Sequence, residues 1–294
     1  MTEGPCHIGL ARNKTAANEA DGKNGERKML MDRRGLFGAL AALTFGLSIA
    51  SAAQADTLIA GAYPANPPWE NKTETGDFEG FEVDLVKEIG KRIGADIEFQ
   101  DLGFQALFAA TSSGRADLAI SSISITNDRL QNQSFTQGYY DSDIALIASS
   151  ETNMKTLDDM KGKVIGAISA SVGEAWIKAN TDKYGIKEFR GYNTQQDLLL
   201  DVQSGRLEGA VGDIAGFQFA FTKMKGMKVV EAIPTGDKFA IMMKKGSPLL
   251  EKVNAAIDDI KKDGTMAGLH KKWLGADAAP ESSINTILPI PQAQ

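Results

Sequence analysis

Phe81, Leu85, Ile89 and Ile93 recur every four residues and lay one apolar stripe along a helix. Gly94 follows at once, where a helix end favours a residue free to adopt positive φ. Thr57–Ala62 reads as a strand, a Pro-rich turn runs through Pro68, and Ile97-Glu98-Phe99 alternates as a second strand. A further helix across Ala106–Thr111 ends near Gly114, ahead of the apolar run Leu118–Ile120. The order β-α-β-α-β predicts a parallel sheet covered by helices.

The pattern then repeats. Ser113-Gly114-Arg115-Ala116-Asp117-Leu118-Ala119 is echoed by Ser204-Gly205-Arg206-Leu207-Glu208-Gly209-Ala210. Each copy lies between an apolar helical run and a short apolar strand. An ordinary helix–Gly–strand junction produces the same letters, so the echo predicts only two similar α/β units, each ending in a polar turn. Asp143–Ala148 reads as a connecting strand, Leu157–Lys163 as a short helix, and Val164–Ile168 as a buried strand. Ser169–Gly173 leads into another helix. Phe239–Met243 is one more apolar run, and a helix follows from Pro248 through Ile260.

The chemistry concentrates after the first of these junctions. Leu118–Ile120 enters a Ser/Thr-rich turn that ends on Arg129. Ser, Thr, Asn and Asp favour turns and caps, so the chain lifts hydroxyls and one guanidinium off a strand end. A planar guanidinium suits a small carboxylate, which accepts two parallel hydrogen bonds from it. A surface arginine after a turn is the plainer reading. Asp213, after Ala210-Val211-Gly212, is well placed to cap a helix.

The stretch Gly114–Tyr140, with Ser-x-Ser-Ile-Thr-x-x-Arg followed by Phe-Thr-x-x-Tyr-Tyr, resembles the family 3 solute-binding proteins, the amino-acid receptors of bacterial ABC importers. Asn66-Pro67-Pro68-Trp69-Glu70, Gly80-Phe81-Glu82-Val83-Asp84-Leu85, Leu157–Gly166, Gly212-Asp213 and Asp263-Gly264-Thr265 match in the family's order, over about residues 57–275. The resemblance implies an α/β type II periplasmic binding protein, two α/β lobes joined by two hinge strands with a ligand cleft between them. Lobe 1 is then discontinuous, 56–143 plus 241–275, and lobe 2 with the hinge strands spans 144–240. The hinge is expected near Ala145–Ala148 and Phe239–Ile241, and the tail 276–294 is expected to be extended.

The resemblance also implies roles. Arg129 would clamp a ligand α-carboxylate and Asp213 its ammonium. Ser122 would offer backbone groups, Ser124 a hydroxyl and an amide, and Ser171 a hydroxyl before a helix, while Thr126 stabilises the turn. Ala170 stands where the family has glycine. Asn66, Trp69 and Phe104 are candidates for the side-chain pocket, with core packing an equal reading for Trp69. Tyr63 stands where receptors for basic amino acids carry an acid. The implied function is to bind an amino acid in the periplasm and deliver it to an inner-membrane ABC permease, as a monomer without a cofactor. The alternative is an enzyme on the same scaffold, such as a cyclohexadienyl dehydratase.

Composition narrows this further. The 294 residues are 43% hydrophobic and 24% charged, as in ordinary globular proteins. Arg33-Arg34, the apolar run Leu36–Ala50 and Ala53-Gln54-Ala55 read as an export signal cleaved about Ala55/Asp56, behind an upstream extension 1–28. The first 55 residues hold seven Lys/Arg and five Asp/Glu, which leaves 25 against 33 and a net charge of −8 after cleavage. An acidic chain without a basic block is a poor nucleic-acid binder. The single cysteine, Cys6, precedes the signal, so the exported chain has neither disulfide nor lipidated cysteine. His270 is its one histidine, which excludes a His/Cys zinc site; no metal or cofactor is expected.

Overall fold

A computed structural model describes residues 56–294; the extension and export signal expected over 1–55 lie outside the described residues. Two five-stranded sheets organise the chain. In the first, Ala95–Asp101, Asp56–Ala62 and Leu118–Ala119 run parallel, then Met242–Lys244 and Gln133–Phe135 extend the sheet through antiparallel pairs. In the second, Glu188–Tyr192, Val164–Ile168 and Gly209–Asp213 run parallel, and Tyr140–Ser149 and Met227–Phe239 complete it antiparallel. Both sheets are therefore mixed, whereas the pattern predicts parallel ones. The βαβ portions are parallel as expected; Met242–Lys244, which returns after the chain has built the second sheet, pairs antiparallel with both of its neighbours in the first.

The helices sit where their patterns place them. Phe81–Ile93 buries Phe81, Leu85 and Ile89 and ends at Gly94, whose φ of 68° is the left-handed cap. Phe104–Ser113 ends likewise at Gly114. The expected helix Leu157–Lys163 is only a 3-10 turn, Leu157–Met160, started by a capping box at Thr156. The turn after Tyr63 is a small antiparallel sheet, Ala65–Asn66, Glu70–Lys72 and Phe78–Glu79, which sets Asn66 opposite Glu70. Gly80 closes it: a Cβ there would lie 2.2 Å from the Trp69 carbonyl oxygen.

The lobe 1 core gathers Trp69, Phe81 and Tyr139, all fully buried, with Phe239 and the helix Leu250–Lys262. Each such side chain contributes roughly 1.5–3 kcal/mol by leaving water. Ala145–Ala148 is also fully buried, hydrogen-bonded within the second sheet on both sides. Next to it, Tyr140–Ser142 pairs with Asp237–Phe239 beyond a register shift between Ile233 and Asp237. The tail lies against lobe 1, with Ser283 and Ile284 buried and Ser283 bonded to Asp141.

Candidate functional site

The parallel strands of both lobes end at one cleft enclosing about 660 Å³, part of it open to solvent. Ligands of open α/β sheets bind outside such carboxyl ends. Of the predicted site residues, Arg129, Asp213, Ser122, Ser124, Ser171, Asn66 and Phe104 line it; Trp69 does not.

Arg129 sits on the short helix Asn127–Asn132, whose first turn Thr126 caps by accepting the Arg129 N–H. The guanidinium lies over the rings of Phe104 and Phe108, 5.9 and 5.0 Å from their centroids. One amino group donates to the Ser124 carbonyl at 2.7 Å, and the other reaches across the cleft to the Ala170 carbonyl at 3.0 Å. No ion pair among the described residues includes Arg129. Desolvation pulls its pKa down to about 10, against the field of Asp237. It stays charged at neutral pH with no ion-pair partner among the described residues.

Lobe 2 offers Asp213 and Ser171. Asp213 caps the helix Ile214–Lys223, accepting from Gly216 N at 2.7 Å and Ala215 N at 3.3 Å. Ser142 donates to it at 2.5 Å, and Trp69 of lobe 1 at 3.1 Å. Desolvation raises its pKa despite these donors. It, too, forms no ion pair among the described residues. Ser171 caps the helix Val172–Tyr184, whose N-terminus faces the cleft and suits an anion. Ala170 takes the left-handed φ of 64° that glycine would adopt without strain. Gly173 packs so closely on the neighbouring strand that a Cβ would lie 2.4 Å from Val211 O, which holds the Ser171 and Asp213 loops together.

On lobe 1, Ser122 has a φ of 46°, unusual for a residue with a Cβ. Its N–H is bound to both oxygens of Glu82, at 3.0 and 2.9 Å, and is not free for a ligand. Its Oγ accepts from Asn66, whose Nδ2 also donates to Glu70 at 2.9 Å. Glu70 and Glu82 are completely buried. Their burial and proximity hold Glu70 well above the usual carboxylate range; Tyr139 and Ser122 donate to Glu82. Tyr63 accepts the Gln195 N–H across the cleft at 3.0 Å. Sequence reasoning missed Gln195 and Asp237 as cleft-lining residues. Asp237 sits in the irregular end of a crossing strand, where no periodicity marks it.

Two α/β lobes that exchange strands around such a cleft define a type II periplasmic binding protein. Residues 58–276 match the model for bacterial extracellular solute-binding proteins, family 3, and the chain belongs to that family, which is one of binding proteins and not of enzymes. It is 29% identical over 242 residues to the arginine-binding extracellular protein ArtP of Bacillus subtilis, covering 79% of this chain and 94% of that one. It is 27% identical over 261 residues to the L-cystine-binding protein TcyJ of Escherichia coli, covering 84% and 97%. An ancestral arginine-binding protein bound to glutamine superposes with a TM-score of 0.71 at 30% identity, over 76% of this chain and 100% of that one.

Proposed function

We propose that the protein captures a free amino acid outside the inner membrane, after cleavage near Ala55, and delivers it as a monomer to an ABC permease. One observation carries this reading: the Arg129 guanidinium and the Asp213 carboxyl group, neither in an ion pair among the described residues, edge the same cleft from facing lobes. A zwitterion supplies both missing partners. Its carboxylate would replace the Ala170 carbonyl on Arg129 and approach the Ser171 helix end. Its ammonium would meet Asp213. Relatives named for arginine and cystine, and a neighbour holding glutamine, support an amino-acid ligand.

The test is a thermal-shift panel of the twenty amino acids and L-cystine, followed by calorimetry. A ligand at a hundred times its Kd stabilises the folded state by about 2.7 kcal/mol. If no member of the panel moves the melting temperature, the reading falls.

A further inference from the structure

The charged groups of the cleft are few, and their places restrict the ligand. Among the described residues, Arg129, Asp213 and Asp237 are the charged ones that line it. On the reading above, the first two are taken by the α-carboxylate and the ammonium. Asp237 stands on the crossing strands opposite Ser142, the residue that donates to Asp213, and within the field of Arg129. It therefore belongs to the end that holds the ligand backbone. The remaining walls include Tyr63, Asn66, Phe104, Ile168, Gln195 and Leu198, none of which carries a charge.

Two of these walls are fixed in their hydrogen-bonding sense. Both Nδ2 hydrogens of Asn66 are committed, to Glu70 Oε1 at 2.9 Å and to Ser122 Oγ at 3.0 Å. Its carbonyl oxygen is the one polar atom left to meet a ligand. Tyr63 already accepts the Gln195 N–H, so its own hydroxyl hydrogen is free to donate. Glu70 stands behind Asn66 and is not part of the cleft lining. It is completely buried beside Glu82, which with that burial holds its pKa well above the usual carboxylate range, and its Oε2 has no hydrogen-bond donor among the described residues.

We infer that the site selects an amino acid whose side chain is uncharged and carries an N–H donor, a carboxamide or ureido group, with Asn66 Oδ1 as the acceptor that selects it. This rests on the amino-acid reading of the cleft. A cationic side chain would find no counter-charge along these walls, and an anionic one would face Asn66 Oδ1. An apolar one would leave that oxygen unpaired, which sites built for hydrogen-bonding ligands penalise strongly.

Calorimetry on the exported chain tests this with three matched pairs: L-citrulline against L-arginine, L-glutamine against L-glutamate, and L-glutamine against L-norleucine. The neutral donor should bind at least tenfold tighter in each pair for which either member binds. Asn66→Ser should cut the advantage of glutamine over norleucine at least fivefold, with melting of the free variant showing that it folds. Arginine binding more tightly than citrulline, or norleucine within twofold of glutamine, overturns the inference and leaves the amino-acid reading standing. Binding of apolar amino acids alone does the same. Silence from these compounds and from the whole amino-acid panel overturns both.

Discussion

Trp69 donates its indole N–H to Asp213 across the cleft at 3.1 Å, so a fully buried residue of lobe 1 touches the acid of lobe 2. Its ring stands edge-on to Tyr140, Phe81 and Phe239 at 4.5, 5.9 and 5.3 Å, which fixes the direction of that N–H. The two sequence readings of Trp69, core and site, thus meet in one side chain.

Trp69→Phe keeps most of the aromatic packing and deletes the donor. We expect a stability loss of about 1–2 kcal/mol in urea unfolding. Affinity should fall about tenfold, because a hydrogen bond to a charged group is worth roughly 1.5–3 kcal/mol and this one favours the closed lobes. Any ligand-induced change in tryptophan fluorescence should vanish in this variant and survive in Trp176→Phe. An unchanged signal in Trp69→Phe would remove Trp69 from the ligand response.

Arg129→Ala should abolish amino-acid binding in a folded protein. Arg129→Lys should fail nearly as badly, since a point charge cannot reproduce two parallel hydrogen bonds and stacks poorly on Phe104 and Phe108. Calorimetry is the check. An affinity within twofold of wild type for either variant would end the carboxylate-clamp assignment.

Much of this was legible in the chain. A four-residue apolar period followed by glycine marks Phe81–Ile93, because helix geometry and the left-handed cap are local properties. Arg129 is legible because the hydroxyl-rich turn that presents it is local too. Glu70 and Glu82 are different: both lie in motifs that carry the family resemblance, but only the tertiary fold buries them side by side. Met227–Phe239 hides its crossing role because its far half, Pro234–Lys238, is polar and bulged. Ala145–Ala148 shows the apolar run of a strand, but not which strands flank it.

Away from the crossing segments, hydrogen bonds from Trp69 to Asp213, from Arg129 to the Ala170 carbonyl, and from the Gln195 N–H to Tyr63 join the lobes directly. A ligand must enter before they form, and then bridges the same groups, so its contacts with both lobes favour closure. Gln105 and Asn193 are exposed at opposite rims of the cleft. Spin labels on Gln105→Cys and Asn193→Cys should give a shorter and narrower distance distribution with saturating ligand. Identical distributions with and without ligand would count against a moving hinge at Tyr140–Asp143 and Thr235–Phe239.

Lys261 offers a test of how the tail is held. Its ammonium is buried in lobe 1 and donates to Gln137 Oε1 and the Gly138 carbonyl at 2.8 Å, and to the Thr286 carbonyl of the tail at 2.9 Å. Leu288 N–H binds the same Gln137 oxygen at 3.0 Å, so one lysine and one glutamine pin the tail. No carboxylate among the described residues pairs with it, and desolvation lowers its pKa to about 8 from an ordinary 10.5. The unfolded chain therefore binds this proton more tightly than the folded one. Below pH 8 the penalty is present in full; between about 8 and 10.5 the unfolded state still holds the proton, so this group makes stability rise with pH. Lys261→Met removes the titration and leaves the Gly138 and Thr286 carbonyls without their donor. Urea unfolding of both proteins at intervals from pH 7 to 10 isolates the difference. Wild type should gain on the variant as pH rises, by an amount on the order of 1–3 kcal/mol. A gap that stays constant across that range would mean that Lys261 keeps an ordinary pKa in the folded protein, and that its three carbonyl acceptors fully repay its burial.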